Sequence, residues 1–223
     1  LPVEAIAAAV APVPLIVDGA QTAGALPFDF AGSGVAAYVA SGHKGLLGPP
    51  GTGLLLLRPG FELEGWMRGG TGSRSESEEM PPFLPDRLEP GTPNGAGIAG
   101  LGAAVGWLRD RGVEAVAADV RGLVERLVER LSGISGLRLH GYAPGEPRTG
   151  TLSFTLDGVD SGELADWLDR ERGLMLRVGL HCAPAAHRRL GTFPGGTLRV
   201  GLGPFNEPSH VDALAAAVAE AAG

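Results

Sequence analysis

A chain of 223 residues with 44% hydrophobic and 19% charged side chains can bury a sizeable core, which argues against disorder and fits one large domain or two small ones. Its formal charge of −7 and lack of a basic arm exclude a nucleic-acid surface, which needs clustered Lys and Arg. No apolar run is long enough to span a bilayer, the first residues lack a secretory signal, and the single cysteine, Cys182, rules out an internal disulfide, so a cytoplasmic protein without a membrane partner is expected.

In chain order, "PVEAIAAAV" reads as a short helix and "PLIVDGA" as a buried strand ending in an acid. The first residues therefore look like the middle of an α/β unit, and a front half is expected to be missing. "VAAYVASGHK" and "GLLLLR" read as further short apolar strands. Arg68 to Asn94 is rich in glycine, serine and proline and reads as a long loop. "NGAGIAGLGAAVGWLRDRG" reads as a small-residue helix. In "VEAVAADVRGLVERLVERLSG", Val113, Val116, Val120, Leu123, Leu127 and Leu131 form one apolar stripe, with the charges on a solvated face. Shorter units follow: strands in "LRLHG" and "TLSFTL", a helix in "SGELADWLDRER", a strand in "LMLRVG", a helical turn in "APAAHRRLG", a strand in "TLRVGLG" and a closing helix. The order predicts an α/β fold in which residues 1–95 belong to a partial large domain with a mixed sheet. Residues 96–223 then supply a linking helix and an α+β small domain.

Asp18 stands at a strand's carboxyl end with Gln21 in the next turn, where ligands of open α/β sheets bind; the alternative is an aspartate that only caps the turn. Ser41, His43 and Lys44 follow the strand Val35 to Ala40, on what should be the same sheet edge. A lysine backed by glycines is partly desolvated and suits Schiff-base chemistry; the alternative is a solvated charge. Gly48 and Gly53 have the spacing of a nucleotide-binding phosphate loop, but Leu54 and Leu55 occupy the places of its lysine and hydroxyl. Thr71, in "RGGTGSRSE", sits in a turn that either cradles a phosphate or is a plain flexible loop. Cys182 is either a structural thiol or a nucleophile on a glycine-flanked loop, with Arg177, His181 and Arg188 making its vicinity electropositive. Zinc on Cys182, His181 and His187 lacks a fourth protein ligand. Arg199 is either a surface strand residue or a planar bidentate clamp for a carboxylate.

Taken together, "VDGAQTAGALPFDF", "SGHKGLLGPPGTGLLLL" and the R-x-G-x-H-C-A-P stretch around Cys182 resemble the class V aminotransferases, and among them the cysteine desulfurases. The resemblance implies the aspartate aminotransferase-like fold of pyridoxal phosphate-dependent transferases and pyridoxal 5′-phosphate as cofactor. By it, Lys44 is the Schiff-base lysine, Asp18 holds the ring nitrogen protonated, Gln21 contacts the phenolic oxygen, and Ser41 and His43 contact the phosphate. Thr71 would reach the phosphate of a neighbouring copy in a homodimer, Arg199 the substrate carboxylate, and Cys182 would take sulfur from L-cysteine as a persulfide, releasing alanine. A sulfur-acceptor protein and a place in iron–sulfur cluster assembly are implied as well. Selenocysteine lyase, class V aminotransferase and a non-catalytic dimerisation module are the other readings. Lacking the family's front half, the chain alone is expected to bind cofactor weakly and to be inactive.

Overall fold

A computed structural model describes residues 1–223, which divide between Arg111 and Gly112 into two units. In the first, helix α1 (Val3–Val10) leads into strand β1 (Ile16–Asp18). β1 pairs in parallel with β2 (Ala37–Ser41), and β2 pairs antiparallel with β3 (Gly53–Leu57), giving a mixed sheet in the order β1-β2-β3. Ala37, Tyr38 and Ala40 of the central strand are buried, and the Tyr38 ring stacks on Phe28 at 4.9 Å between centroids. The edge strands are not. Ile16 is 52% exposed and Leu55 and Leu56 are each 41% exposed, so β1 is not the buried strand its composition suggests. An edge strand has a neighbour on one side only, and little of this unit covers the side chains of β1 and β3.

Residues 58–94 form turns and bends without helix or strand, a loop that includes and extends the stretch expected from Arg68 to Asn94. Helix α2 (Gly95–Arg111) starts at Asn94, whose Oδ1 accepts the Gly97 N–H at 3.0 Å and so caps the first turn. Its small residues let it sit close to the chain that follows β2: a Cβ placed on Gly100 would meet Pro49 Cγ at 2.8 Å. The contacts therefore group α2 with the first unit instead of making it the opening of the second.

The second unit begins with helix α3 (Val113–Leu131) and builds an antiparallel sheet from β4 (Leu137–His140), β5 (Thr151–Leu156), β6 (Arg177–Gly179) and β7 (Thr197–Gly201), in the order β4-β5-β7-β6. Helix α4 (Ser161–Arg172) precedes β6, the short α5 (Pro184–Leu190) lies between β6 and β7, and α6 (Pro208–Ala221) closes the chain. Alternation along β5 buries Leu152, Phe154 and Leu156 and turns Thr151, Ser153 and Thr155 to the other face. The apolar face packs with Leu123, Leu127 and Leu131 of α3, Leu164 and Leu168 of α4, and Val211, Leu214 and Val218 of α6. Most of the predicted stripe on α3 is buried; Val113, in the first turn, is half-buried.

Helix α4 is capped by Asp160, whose Oδ1 accepts the Gly162 and Glu163 N–H groups at 2.8 and 3.1 Å, and it ends at Gly173 in the left-handed conformation. The chain then uses Leu174 to Leu176 to return to the sheet, which leaves β6 three residues long, shorter than "LMLRVG" suggests. Arg126 grips Asp212 bidentately, at 2.9 and 2.6 Å, and Arg130 adds a contact at 3.3 Å, tying α3 to α6. The Arg126 hydrogen bonds hold the Asp212 carboxyl below the usual carboxylate range.

Phe154, fully buried at the centre of this core, sets a first prediction: Phe154→Ala lowers stability by about 3–5 kcal/mol, read as a lower urea midpoint at unchanged m. A second concerns acid. Because the folded-state pKa of Asp212 lies below its unfolded value, its pairing stabilises the protein above about pH 4 and is lost as pH falls through the depressed value. Asp212→Asn therefore flattens the acid limb of a stability-against-pH curve, and a variant curve parallel to wild type below pH 4 would contradict the assignment.

Candidate functional site

Parallel pairing of β1 and β2 brings their carboxyl ends to one edge of the sheet. Asp18 lies opposite Val39, Ser41 ends β2 two residues further on, and Lys44 sits in the turn that follows. The Asp18 Oδ1 accepts the Ala20 N–H at 2.9 Å, so one carboxylate oxygen caps the turn, and no hydrogen bond within the chain engages the other. The Gln21 turn and the Lys44 turn touch through backbone. A Cβ on Gly24, whose φ is 76°, would collide with the Gly45 carbonyl, and a Cβ on Gly45 would come within 2.5 Å of the Ala23 carbonyl. Only glycine at both places allows the two turns to meet.

The turn after Lys44 is closed by Gly42 N–H to Thr52 O at 2.9 Å and Gly48 N–H to Gly42 O at 2.7 Å. A Cβ on Gly48 would meet Leu101 Cδ1 at 2.7 Å, and one on Gly53 the Ala40 carbonyl at 2.8 Å. The glycines with phosphate-loop spacing thus serve close packing of α2 and β2.

The side chains of Gln21, Ser41, His43 and Lys44 make no hydrogen bond or ion pair within the chain. Gln21 and His43 are exposed, whereas Ser41 and Lys44 are half-buried. Lys44 is also the only lysine in the sequence; the other 17 of the 18 Lys and Arg residues are arginines. Amine, amide, hydroxyl and imidazole without internal partners therefore share one sheet edge with a carboxylate that has one oxygen left over. Thr71 is separate from this group. Its hydroxyl lies 2.9 Å from Ser73 Oγ, and it lines a concavity of about 380 Å³ with Arg68, Arg74 and Ser77.

In the second unit, Cys182 is exposed on the connection between β6 and α5. His181 and Cys182 both have left-handed backbone, with φ of 50° and 61°, a conformation that costs a non-glycine residue about 1–2 kcal/mol. The His181 Nε2 lies 3.1 Å from Thr197 O and 3.3 Å from Thr197 Oγ1. A carbonyl oxygen can only accept, so Nε2 carries the ring proton and Nδ1, buried and without a partner, is the bare nitrogen. Burial pushes the His181 pKa down, and Arg199, His187 and Arg177 push the same way, against the opposing bond to Thr197. These effects favour the neutral ring, so His181 supplies less positive charge beside Cys182 than its place in the sequence suggests. Arg188 also turns aside, lying over the Phe193 ring at 4.6 Å from its centroid. His187 is buried, with Nδ1 2.8 Å from Thr192 Oγ1.

Arg199 lies directly opposite Arg177 in the β6–β7 ladder, and neither guanidinium makes a hydrogen bond or ion pair within the chain. Like charges facing each other across a ladder repel, so this pair suits an anion. Alternation along "TLRVG" places Thr197 and Arg199 on one face. The pairing of Arg177 with Arg199 depends on strand register, which joins residues 22 positions apart and is not visible in either strand's local sequence alone.

The chain matches the family model described as aminotransferase class-V over residues 1–214. It is 36% identical to a probable cysteine desulfurase 2 of Mycobacterium leprae, with 97% of this chain and 54% of that protein covered. It is 35% identical to cysteine desulfurase CsdA of Escherichia coli, with coverages of 92% and 50%. Among solved structures, the apo cysteine desulfurase of Thermococcus onnurineus NA1 has a TM-score of 0.84 at 27% identity, covering 98% of this chain and 55% of that one. The S-sulfonic acid form of Escherichia coli CsdA has a TM-score of 0.82 at 32% identity, with coverages of 97% and 53%. The chain spans about half the length of the curated relatives it matches. With nearly its whole length inside that family model and its fold shared with solved cysteine desulfurases, the chain belongs to the aminotransferase class-V family.

Proposed function

We propose that the chain carries the reacting groups of a pyridoxal 5′-phosphate-dependent cysteine desulfurase, which converts L-cysteine to L-alanine and leaves a persulfide on Cys182. The observation that carries this reading is the place of the only lysine, half-buried and unpaired in the turn after β2, on the sheet edge where β1 ends at Asp18. The names and identities of the relatives support it. The donor set at that edge fits the cofactor: an amine for its aldehyde, a carboxylate for its ring nitrogen, and hydroxyl and imidazole donors for its phosphate. When bound, pyridoxal phosphate supplies an electron sink for the pair left by cleavage of a substrate Cα–H bond.

Each role falls to a residue of this chain. Lys44 Nζ holds the cofactor and moves the proton at the substrate's Cα, while Asp18 keeps the ring nitrogen protonated. Gln21 steadies the phenolic oxygen, and Ser41 and His43 donate to the phosphate. Thr71, standing apart from these, donates to the phosphate of a second copy in a homodimer. Arg199 clamps the substrate carboxylate in a planar bidentate contact, with Arg177 adding charge beside it. The Cys182 thiolate attacks the substrate sulfur, so an S–S bond forms as the Cβ–S bond breaks. The electron pair stays on the substrate carbon, which takes a proton to become the methyl group of alanine. The exposed persulfide then passes its sulfur to an acceptor protein in the cytoplasm, where it serves iron–sulfur cluster assembly.

One lysine and one cysteine in this chain direct the tests to two positions. In a longer protein that carries this chain, borohydride reduction with pyridoxal phosphate is expected to label the Lys44 peptide and to spare that peptide in Lys44→Arg; label confined to other amines would overturn the assignment. Incubation of the loaded protein with L-cysteine is expected to add the mass of one sulfur atom to Cys182. Cys182→Ser lowers alanine formation by about 10³-fold or more, as removal of a nucleophile does, and leaves the Lys44 label intact. Undiminished turnover of selenocysteine by Cys182→Ser, with cysteine turnover lost, would replace this reading with a selenocysteine lyase.

A further inference from the structure

Four residues, Leu180 to Ala183, form a turn closed by Ala183 N–H to Leu180 O at 2.8 Å, and both central residues are left-handed. Two positive φ angles in a row mark the type I′ pattern, which favours Asn-Gly because those residues tolerate the conformation. Here the pair is His181-Cys182, so the turn is held against local preference and needs a restraint from outside itself. One ring supplies it. His181 Nε2–H reaches the carbonyl and hydroxyl of Thr197, which is fully buried in β7 and is therefore a rigid anchor.

We propose that His181 is a positioning residue for Cys182: its neutral ring, pinned to Thr197, holds the left-handed turn that presents the thiol, and protonation releases it. The charged and titratable groups that act on the ring are Arg177 of β6, Arg199 of β7 and His187 of α5, with no carboxylate among them to stabilise a charged ring. Protonation at Nδ1 places a second N–H at a buried position with no acceptor, among cations. The charged ring is thus unfavourable where it stands, and it regains solvation only by leaving Thr197. The direction of the His181 shift agrees with this geometry. The significance for sulfur transfer rests on Cys182 being the sulfur acceptor, but the anchoring itself does not.

Cys182 is the only cysteine, so a nitroxide attached to it reports on this turn alone. In the 223-residue chain at alkaline pH the spectrum is expected to be immobilised, and to gain a mobile component as pH falls through the titration of His181. His181→Ala is expected to be mobile at every pH. His181→Gln keeps a neutral donor of similar reach and is expected to restore the immobilised spectrum and abolish its pH dependence. Immobilisation of His181→Ala equal to wild type, or acid loosening that persists in His181→Gln, would overturn the proposal. An anchored turn that gains no sulfur from L-cysteine would instead leave the anchor standing and remove the persulfide role of Cys182.

Discussion

Backbone contact between two turns, made possible by Gly24 and Gly45, is the constraint on which the first cluster of polar groups depends. Parallel pairing of β1 with β2 sends both chains out at the same edge, but pairing alone leaves the following turns free to diverge. With no Cβ on either glycine the Gln21 and Lys44 turns lie against each other, and any larger side chain would force them apart. The turn after Lys44 is held in turn by Gly48 against Leu101 of α2. A helix rich in small residues is a poor amphipathic helix by pattern, yet it is well suited to brace a loop closely.

The second cluster is organised by the opposite means. Its sheet is covered on one face by α3, α4 and α6 around Leu127, Phe154 and Leu198, which frees the other face to carry Arg177, Thr197 and Arg199. Like charges at opposite positions of a ladder are unfavourable, and a turn with two non-glycine left-handed residues is strained. Both features are concentrated around Cys182. Strain and unpaired charge at one place are the expected signature of a site whose groups act on a ligand and not on each other.

Much of the fold was legible in the amino-acid pattern. Alternation in "TLSFTL", the stripe on α3 and the acid at the end of "PLIVD" depend on local periods of two and 3.6 residues, and those elements form where the pattern puts them. The exposure of Ile16 was not legible, because an apolar edge strand and an apolar central strand share one composition. The length of β6 also escaped, since the path taken after the Gly173 cap is a matter of packing.

What the sequence by itself determined is the chemistry on offer: one lysine after an S-x-H, an aspartate at a strand end, and one cysteine between arginine and histidine. Those identities, and their resemblance to a family, are properties of the order of residues. Tertiary structure decided which groups face each other and which are buried. It placed Arg177 opposite Arg199 by strand register, turned Arg188 onto Phe193, and disfavoured a charged His181 by burying Nδ1 while Nε2 bonds Thr197. Register, burial and the partner of a ring nitrogen all depend on residues distant in the chain, so no local reading of "GLHCAP" contains them.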